Sequence, residues 1–520
     1  MKKLLYIIIS LDLFIAAQVV FSQQKSFPAT YQAPVFKDSG RLKKMEAAFP
    51  VIEKLFREHA EKNHFPGMAF GVVADGKLIY SGAVGYTEER KKIAATTKSV
   101  FRIASMSKSF TGLAILQLRD AGKLQLDDPV SKYIPQMKQV KYLTSDAPAI
   151  TIRNLITHSA GFPEDNPWGD RQLADSDAEL LAIIKGGVNF STVPSTSFEY
   201  SNLGFALAGH VITRVSGMPY QKYIDENILK PLGMKNTYWE FSKVPEVQLA
   251  HGYRWINNNW EEETLLHDGS YGAMGGLMTS IEDFYKYMLI HMAAWPPSSK
   301  NEHKILKRSS VREMHHPGSV AGAFVQARSN GRTCAVVSGY GYGLGWTRDC
   351  DGKTVVGHSG GLPGFGSQWV ILPEYGIGVV SFANRTYAGT GSVNGRVIDT
   401  LIAIAGLSPS QLPASPILKQ RKEELMKLLP HWNQTEQQSE IFAENFFPDY
   451  PIDSLKNQAA IVFANAGKIL RVREIVPENQ LRGRFILEGE KKNIEVFFTL
   501  TPENPPLIQE YRIRELEKGQ

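Results

Sequence analysis

The chain has 520 residues, enough for a large core and, on length alone, for two or more domains. A hydrophobic share of 43% and a charged share of 21% are those of a globular protein and exclude a disordered one. The net charge of +6 is mild for this length, and no basic block carries interleaved aromatics, which argues against nucleic acid as a partner.

The N-terminus, "MKKLLYIIISLDLFIAAQVVFSQQKS", has the parts of an export signal. Lys2 and Lys3 are a charged start, Leu4 to Val20 a mostly apolar core, and Val20-Phe21-Ser22 a cleavage site, so residues 1–22 are expected to be a signal peptide. Asp12 interrupts the apolar run, which is short for an uncleaved anchor. The expectation is an exported protein, periplasmic or secreted, with no stable membrane span once the signal is removed.

Residues 39 to 62 have helical periodicity interrupted by Pro50, and "MAFGVVADGKLIYSGAVGY" reads as a hairpin turning at Asp75-Gly76. A serine-rich segment with one lysine, "RIASMSKSFTGLAILQL", runs into an apolar helix, and Gly122 is its expected stop. The region from about 150 to 320 is read as mostly helix and loop. Strands return at "YGLGWTR", "KTVVG", "SQWVILP" and "GIGVVSFAN", followed by the apolar helix "GRVIDTLIAIAG". Strands at both ends with helices between them predict one α/β (α+β) unit over 25–405, whose two ends share an antiparallel sheet flanked by helices. "GLSPSQLPASP", residues 406–416, reads as a linker, and 417–520 as a small α+β module of unknown role without a catalytic set.

The only cysteines, Cys334 and Cys350, are a candidate disulfide in an exported protein, with two free thiols as the alternative. No Cys or His set has zinc-ligand spacing and His-Glu-x-x-His is absent, so no metal and no cofactor is expected.

Three short motifs carry chemistry. If the serine-rich run opens a helix, Ser105 and Lys108 face each other across one turn while Ser107 and Ser109 point elsewhere. A serine hydroxyl needs an adjacent base to attack at neutral pH, and a desolvated lysine can be one. The alternative is a capping serine beside a solvated lysine, and Ser22-Gln23-Gln24-Lys25 matches the same spacing. Tyr200-Ser201-Asn202 is the only Tyr-x-Asn of the chain. There Tyr200 could serve beside a lysine as phenolate base and then acid, while Asn202 donates to a substrate carbonyl or simply caps the apolar helix that follows. His358-Ser359-Gly360-Gly361 follows a β-rich run, and its small residues would let a substrate backbone lie beside the strand edge. His267-Asp268-Gly269 repeats the His-x-Gly pattern without the strand context. "GHSGG" also fits a nucleophile elbow at Ser359, but a Pro/Gly bend and another strand follow it instead of a helix, so that reading is rejected.

Ser-x-x-Lys, Tyr-x-Asn and His-x-Gly in this order resemble the serine β-lactamase and penicillin-binding-protein superfamily, specifically its class C branch. "LDDPVSKYIP", "ITIRNLITHSAGFP" and "GAMGGLMTSIEDFYKYM" add to the likeness, which covers roughly residues 45 to 400. The resemblance implies a class C β-lactamase-like fold with a helical subdomain. It further implies Ser105 as the acylated nucleophile, with Lys108 and Tyr200 sharing its proton traffic and Asn202 orienting the substrate. Backbone N–H groups of Ser105 and Gly361 would form the oxyanion hole. His358 stands where the β-lactamases have lysine, which is more like the DD-peptidases, D-aminopeptidases and esterases of the branch. Were His358 to bind a substrate carboxylate, affinity would weaken as pH climbs past its ordinary titration. The expectation is an exported serine hydrolase acting through an acyl-enzyme on a small peptide, β-lactam or ester, oligomeric state unknown. A carboxylesterase and a non-catalytic muropeptide or β-lactam binding protein are the alternatives.

Overall fold

The Asp75-Gly76 dipeptide turns with both residues at positive φ, 46° and 78°, and joins β1 (Gly67–Ala74) to β2 (Lys77–Glu88). The computed structural model describes residues 31–299, 302–327, 331–432 and 440–518; the expected signal peptide lies outside them. After the short β3 (Ile93–Ala94), the sheet is resumed far down the chain by six more strands. These are β4 (Ser319–Ala327), β5 (Thr333–Tyr340), β6 (Gly345–Asp349), β7 (Thr354–Leu362), β8 (Phe365–Leu372) and β9 (Ile377–Ala383). The order across this nine-stranded antiparallel sheet is β3-β2-β1-β9-β8-β7-β6-β5-β4. Its two ends of chain meet where β1 pairs with β9, Met68 opposite Ala383 and Ala74 opposite Ile377. Every residue of both strands is buried, so their apolar runs are continuous rather than alternating.

Helices cover both faces. On one, α1 (Phe49–Lys62), with Pro50 tolerated in its first turn, packs Ile52 and Phe56 with Val393, Val397 and Leu401 of a late helix against Phe70, Val72 and Val379. Phe56 stacks on Phe70 at 4.0 Å between ring centres. On the other face lie α2 (Ser107–Asp120), α3 (Asn202–Ser216) and α4 (Ile281–Ala293). The late helix is α5 (Gly391–Ala405). Nearly all of α2 is buried, because it runs through the middle of this layer with Phe110 stacked on Tyr287 at 3.8 Å. That burial is what gives Lys108, on its first turn, an environment without water.

Cys334, in β5, and Cys350, in the turn just after β6, form a disulfide. The segment between the two cysteines, aromatic and Gly-rich, reads as a strand-and-turn excursion, and β5 followed by the turn into β6 matches it. Strand β4 has no sequence reading of its own: it is an exposed edge, and exposure erases the hydrophobic alternation that would mark it.

Residues 34–411 make one compact unit and residues from 412 onward belong to another. The expected linker at 406–416 is partly ordered structure of the first unit. Gly406, at φ 58°, ends α5, the Ser410 N–H donates to Glu374 O at 2.7 Å, and Gln411 pairs with Val35. In the second unit α6 (Pro416–Leu428) starts from Ser415, whose hydroxyl accepts the Leu418 N–H, and α7 (Ile452–Ala466) was not legible as a helix. An antiparallel sheet of β10 (Ile469–Val472), β11 (Val476–Asn479), β12 (Arg482–Gly489), β13 (Asn493–Leu500) and β14 (Ile508–Leu516) completes it. The stretch "KILRVREIV" holds β10 and ends on Val476, the first residue of β11, and both strands pair with β12. Among the described residues no helix is long and apolar enough to cross a membrane.

Candidate active site

Ser105 sits in a single 3₁₀ turn, Ala104–Met106, that leads directly into α2. Ala104 is held at φ 50°, a left-handed conformation unusual for a residue with a Cβ, and this sharp entry aims the Ser105 side chain out of the helix line. Its neighbours hold the turn. The Ser107 hydroxyl donates to Ala104 O at 2.7 Å and accepts the Leu277 N–H at 3.1 Å, while the Ser109 hydroxyl donates to Met106 O at 2.8 Å. These two serines are spent on backbone, as the helical spacing requires.

Lys108 is fully buried, with Nζ 3.0 Å from Ser105 Oγ, 2.7 Å from Asn202 Oδ1 and 2.9 Å from Met274 O. Burial pulls its pKa down to about 7, and the nearby Asp170 and Asp165 charges hold it from falling further. The neutral amine has two hydrogens and one lone pair. Asn202 Oδ1 and Met274 O can only accept, so they take both hydrogens and leave the lone pair facing Ser105, the one partner with a proton to give. The arrangement therefore sets a base against a hydroxyl.

Tyr200 also hydrogen-bonds Ser105, and its ring centre lies 4.9 Å from Lys108 Nζ. Burial holds its phenol well above the ordinary range. The resting phenolate expected from the motif is thus disfavoured: the lysine it was to lean on gives up its charge first, and Tyr200 enters as an acid.

Asn202 is the first residue of α3, and Ser201, not Asn202, is its N-cap, with an extended backbone and a hydroxyl that accepts the Gly204 N–H at 3.3 Å. The carboxylate of Asp165 adds to the cap by accepting the Asn202 and Leu203 N–H groups at 2.6 and 2.9 Å. Asn202 Nδ2 donates to Asn166 Oδ1 at 3.1 Å, so in this structure the amide spans Lys108 and Asn166 and is not turned toward a substrate carbonyl.

Strand β7 closes the other side. A Cβ at Gly360 would fall 2.2 Å from the Ile103 carbonyl oxygen, so only glycine lets the strand approach the nucleophile turn, which Ser367 pins by donating to the same carbonyl at 2.8 Å. Gly361 lies against the Tyr387 ring, 2.8 Å from where a Cβ would stand. Ser359 is exposed, and its carbonyl accepts the His358 Nδ1–H. That fixes the tautomer, so His358 Nε2 accepts the Tyr340 hydroxyl at 2.7 Å. With both ring nitrogens engaged and burial pulling its pKa to about 3, His358 is neutral at every working pH. A titrating carboxylate contact there, the expectation from its position, does not fit this environment.

The structure thus brings Ser105, Lys108, Tyr200 and Asn202 into direct contact and sets His358 behind Tyr340, its ring centre 6.3 Å from that of Tyr200. Sequence reasoning missed Asp165, Asn166, Asp170, His158, Tyr340 and Tyr387. His158 accepts the Ser201 N–H at 3.0 Å and stacks within 4.1 Å of Tyr200; "THSAGF" held it only as part of a likeness. The acidic "PEDNPWGD", with its turn residues, was the one local signal for Asp165 and Asp170.

The chain matches the Beta-lactamase family over residues 52–401 and belongs to that family, among the hydrolases of the β-lactamase and penicillin-binding-protein fold. It is 30% identical to "Protein flp" of Staphylococcus aureus (strain N315) over 338 residues, 64% of this chain and 62% of that one, so it spans under two thirds of that relative. It is 26% identical to "Beta-lactamase-like protein 2" of Dictyostelium discoideum over 496 residues, 88% of this chain and 84% of the relative. Among solved structures, the octameric penicillin-binding protein homologue from Pyrococcus abyssi superposes with a TM-score of 0.57 at 21% identity, covering 91% of this chain and 94% of that one. A class C β-lactamase gives a TM-score of 0.54 at 20% identity, covering 68% of this chain and 96% of the other. At these identities the superpositions establish the fold.

Proposed function

We propose that this chain is an exported serine hydrolase that forms an acyl-enzyme on Ser105. The observation that carries the reading is Lys108 Nζ at 3.0 Å from the Ser105 hydroxyl, in a lysine whose pKa burial lowers to about 7, so that its neutral, proton-accepting form is well populated at neutral pH. Lys108 takes the Ser105 proton as Oγ attacks the substrate carbonyl. The oxyanion forms at the turn between the start of α2 and β7, where the helix N-terminus adds a positive potential and the family resemblance puts the N–H groups of Ser105 and Gly361. Lys108, through Tyr200, then protonates the leaving oxygen or nitrogen. Water repeats the sequence to release the acid and free Ser105.

Peptides, β-lactams and esters all offer the required carbonyl. The neutral, doubly engaged His358 favours an esterase or amidase acting on substrates without a carboxylate at that position over an efficient β-lactamase. A purely binding protein has no use for a lysine buried without its charge. The test is turnover of a nitrophenyl ester, nitrocefin and a D-Ala-D-Ala peptide, together with covalent labelling by a fluorescent penicillin. Ser105→Ala should abolish turnover and labelling while Ser359→Ala retains both. Turnover that persists in Ser105→Ala refutes the reading.

A further inference from the structure

Arg102 lies just ahead of the nucleophile turn and is 3% exposed. Its guanidinium hydrogen-bonds no carboxylate among the described residues. Instead one Nη donates to Gly276 O at 2.9 Å and the other to Leu266 O at 2.7 Å. A buried cation held by two carbonyls is costly, and an apolar side chain would fill the same space without that cost. What a guanidinium alone supplies is two fixed, diverging donors. Here they tie together the two ends of one segment, Leu266 to Gly276.

That segment serves the catalytic base. Its short helical turn, Gly272–Gly275, presents Met274 O to Lys108 Nζ at 2.9 Å and Ala273 O to the Thr111 hydroxyl at 2.6 Å. Just beyond it, the Leu277 N–H donates to Ser107 Oγ at 3.1 Å and Leu277 O accepts the Ile103 N–H at 3.0 Å. Met278 then pairs with Arg102 itself. The second His-x-Gly motif falls inside the segment. His267 is exposed and meets Glu240 at 3.0 Å, whereas Asp268 is turned inward. Its Oδ2 accepts the Gln221 amide at 2.8 Å, and its Oδ1 lies against Gly272 and Gly276, leaving no room for a Cβ on either. Asp268 and Glu240 supply the negative charge that Arg102 feels.

We propose that Arg102 is a positioning residue for the base: by fixing both ends of the 266–276 segment it holds Met274 O against Lys108 and so sets which way the lysine lone pair faces. This role rests on the Ser105 acyl-enzyme reading and extends it to a residue that hydrogen-bonds neither Ser105 nor Lys108. The other groups facing Lys108, which are Asp165, Asp170, Tyr200, His158 and His358, share no hydrogen bond with Arg102. A change at Arg102 therefore reaches the base through the Met274 carbonyl.

The experiment measures kcat and KM for a nitrophenyl ester from pH 5.5 to 9. The proteins are wild type, Arg102→Lys, Thr111→Val, and Lys108→Arg with and without Arg102→Lys. Arg102→Lys keeps the charge but cannot span both carbonyls. It should lower kcat about ten- to hundredfold and leave KM within about twofold. It should also move the limb of kcat/KM to higher pH, because a loosened segment lets water back to the ammonium. Thr111→Val, which frees only the Ala273 carbonyl, should change kcat and the limb in the same directions by less. In the Lys108→Arg background, Arg102→Lys should cost less than about threefold, since no base is left to orient. Wild-type kcat and limb in Arg102→Lys overturn the proposal. So does a fall in kcat with the limb unmoved, which lost folded protein alone would give, or an undiminished loss in the Lys108→Arg background. Should Arg102→Lys fail to fold, a Thr111→Val enzyme with wild-type kcat and limb overturns it. Turnover surviving in Ser105→Ala would instead overturn the reading beneath it.

Discussion

Lys108 Nζ and Met274 O are 2.9 Å apart, and this backbone contact, together with the side-chain contact to Asn202 Oδ1, decides which way the lysine lone pair points. A main-chain carbonyl cannot be titrated or easily displaced, so the base is oriented before substrate arrives.

The first prediction follows from that orientation. With the Lys108 pKa near about 7, kcat/KM for an uncharged ester should rise with pH along a limb centred there and level off above it. Lys108→Arg, always charged, should lose about 10²- to 10⁴-fold on the plateau above the limb and should lack the limb itself. A flat profile from pH 5.5 to 8.5 in wild type, measured under kcat/KM conditions, would contradict a lysine base.

His358 yields the second. Because it is neutral and bonded at both nitrogens, KM for an ester bearing a carboxylate should show no His358-dependent drift between pH 5 and 8. Tyr340→Phe removes the donor to Nε2, leaves a buried acceptor unpaired, and should cost about 1–3 kcal/mol in unfolding free energy. A KM that climbs through the ordinary histidine range, and flattens in His358→Gln, would restore the ring as a carboxylate contact.

The reach of sequence reasoning can be judged from these residues. Ser105 and Lys108 were legible because one helical turn joins them, and Asp75-Gly76 because a two-residue hairpin turn has its own chemistry. Asp170 and Tyr387 meet across 217 residues, and no local pattern connects them. His358 reads in the sequence as following a β-rich run, whereas the strand continues through it to Leu362, and its charge state depends on Tyr340 and on burial, which only the assembled sheet supplies. The basicity of Lys108 has the same origin: its neighbours in sequence are serines, and the apolar surroundings come from helices elsewhere in the chain.

A third prediction concerns stability in acid. His315 accepts the Trp295 Nε1–H at 2.7 Å through Nδ1 and so donates from Nε2 to His291 Nδ1 at 2.8 Å. Both rings are buried; burial pulls His291 to about 3 and His315 well below its ordinary value. The unfolded chain, with histidines near about 6.5, binds protons the native state refuses. Stability is therefore complete above that value and falls as pH drops from there toward 3, by about 1.4 kcal/mol per pH unit for each such histidine. Urea unfolding across pH 4–7 should show the decline, and His315→Gln should remove one proton's share of the slope. An unchanged slope in that variant would mean the pair is not titrating on unfolding.

The last prediction is where the chain can be cut. Ser410 donates to Glu374 O, Gln411 pairs with Val35, and the catalytic side chains all lie between residues 105 and 361. Beyond Gln411 the chain enters the second unit, whose core, with Leu418, Phe446, Phe485 and Phe498, is its own. A protein ending at Gln411 should therefore fold and keep its kcat/KM on the best small ester within about threefold, because the first unit has a hydrophobic core and a catalytic set of its own. One ending at Ala405 loses the Val35 and Glu374 bonds and the Gly406 cap of α5, and should melt several degrees lower. Equal melting temperatures for the two truncations would show that residues 406–411 contribute nothing to the first unit. A soluble, folded but inactive protein ending at Gln411 would show that the second unit takes part in the chemistry.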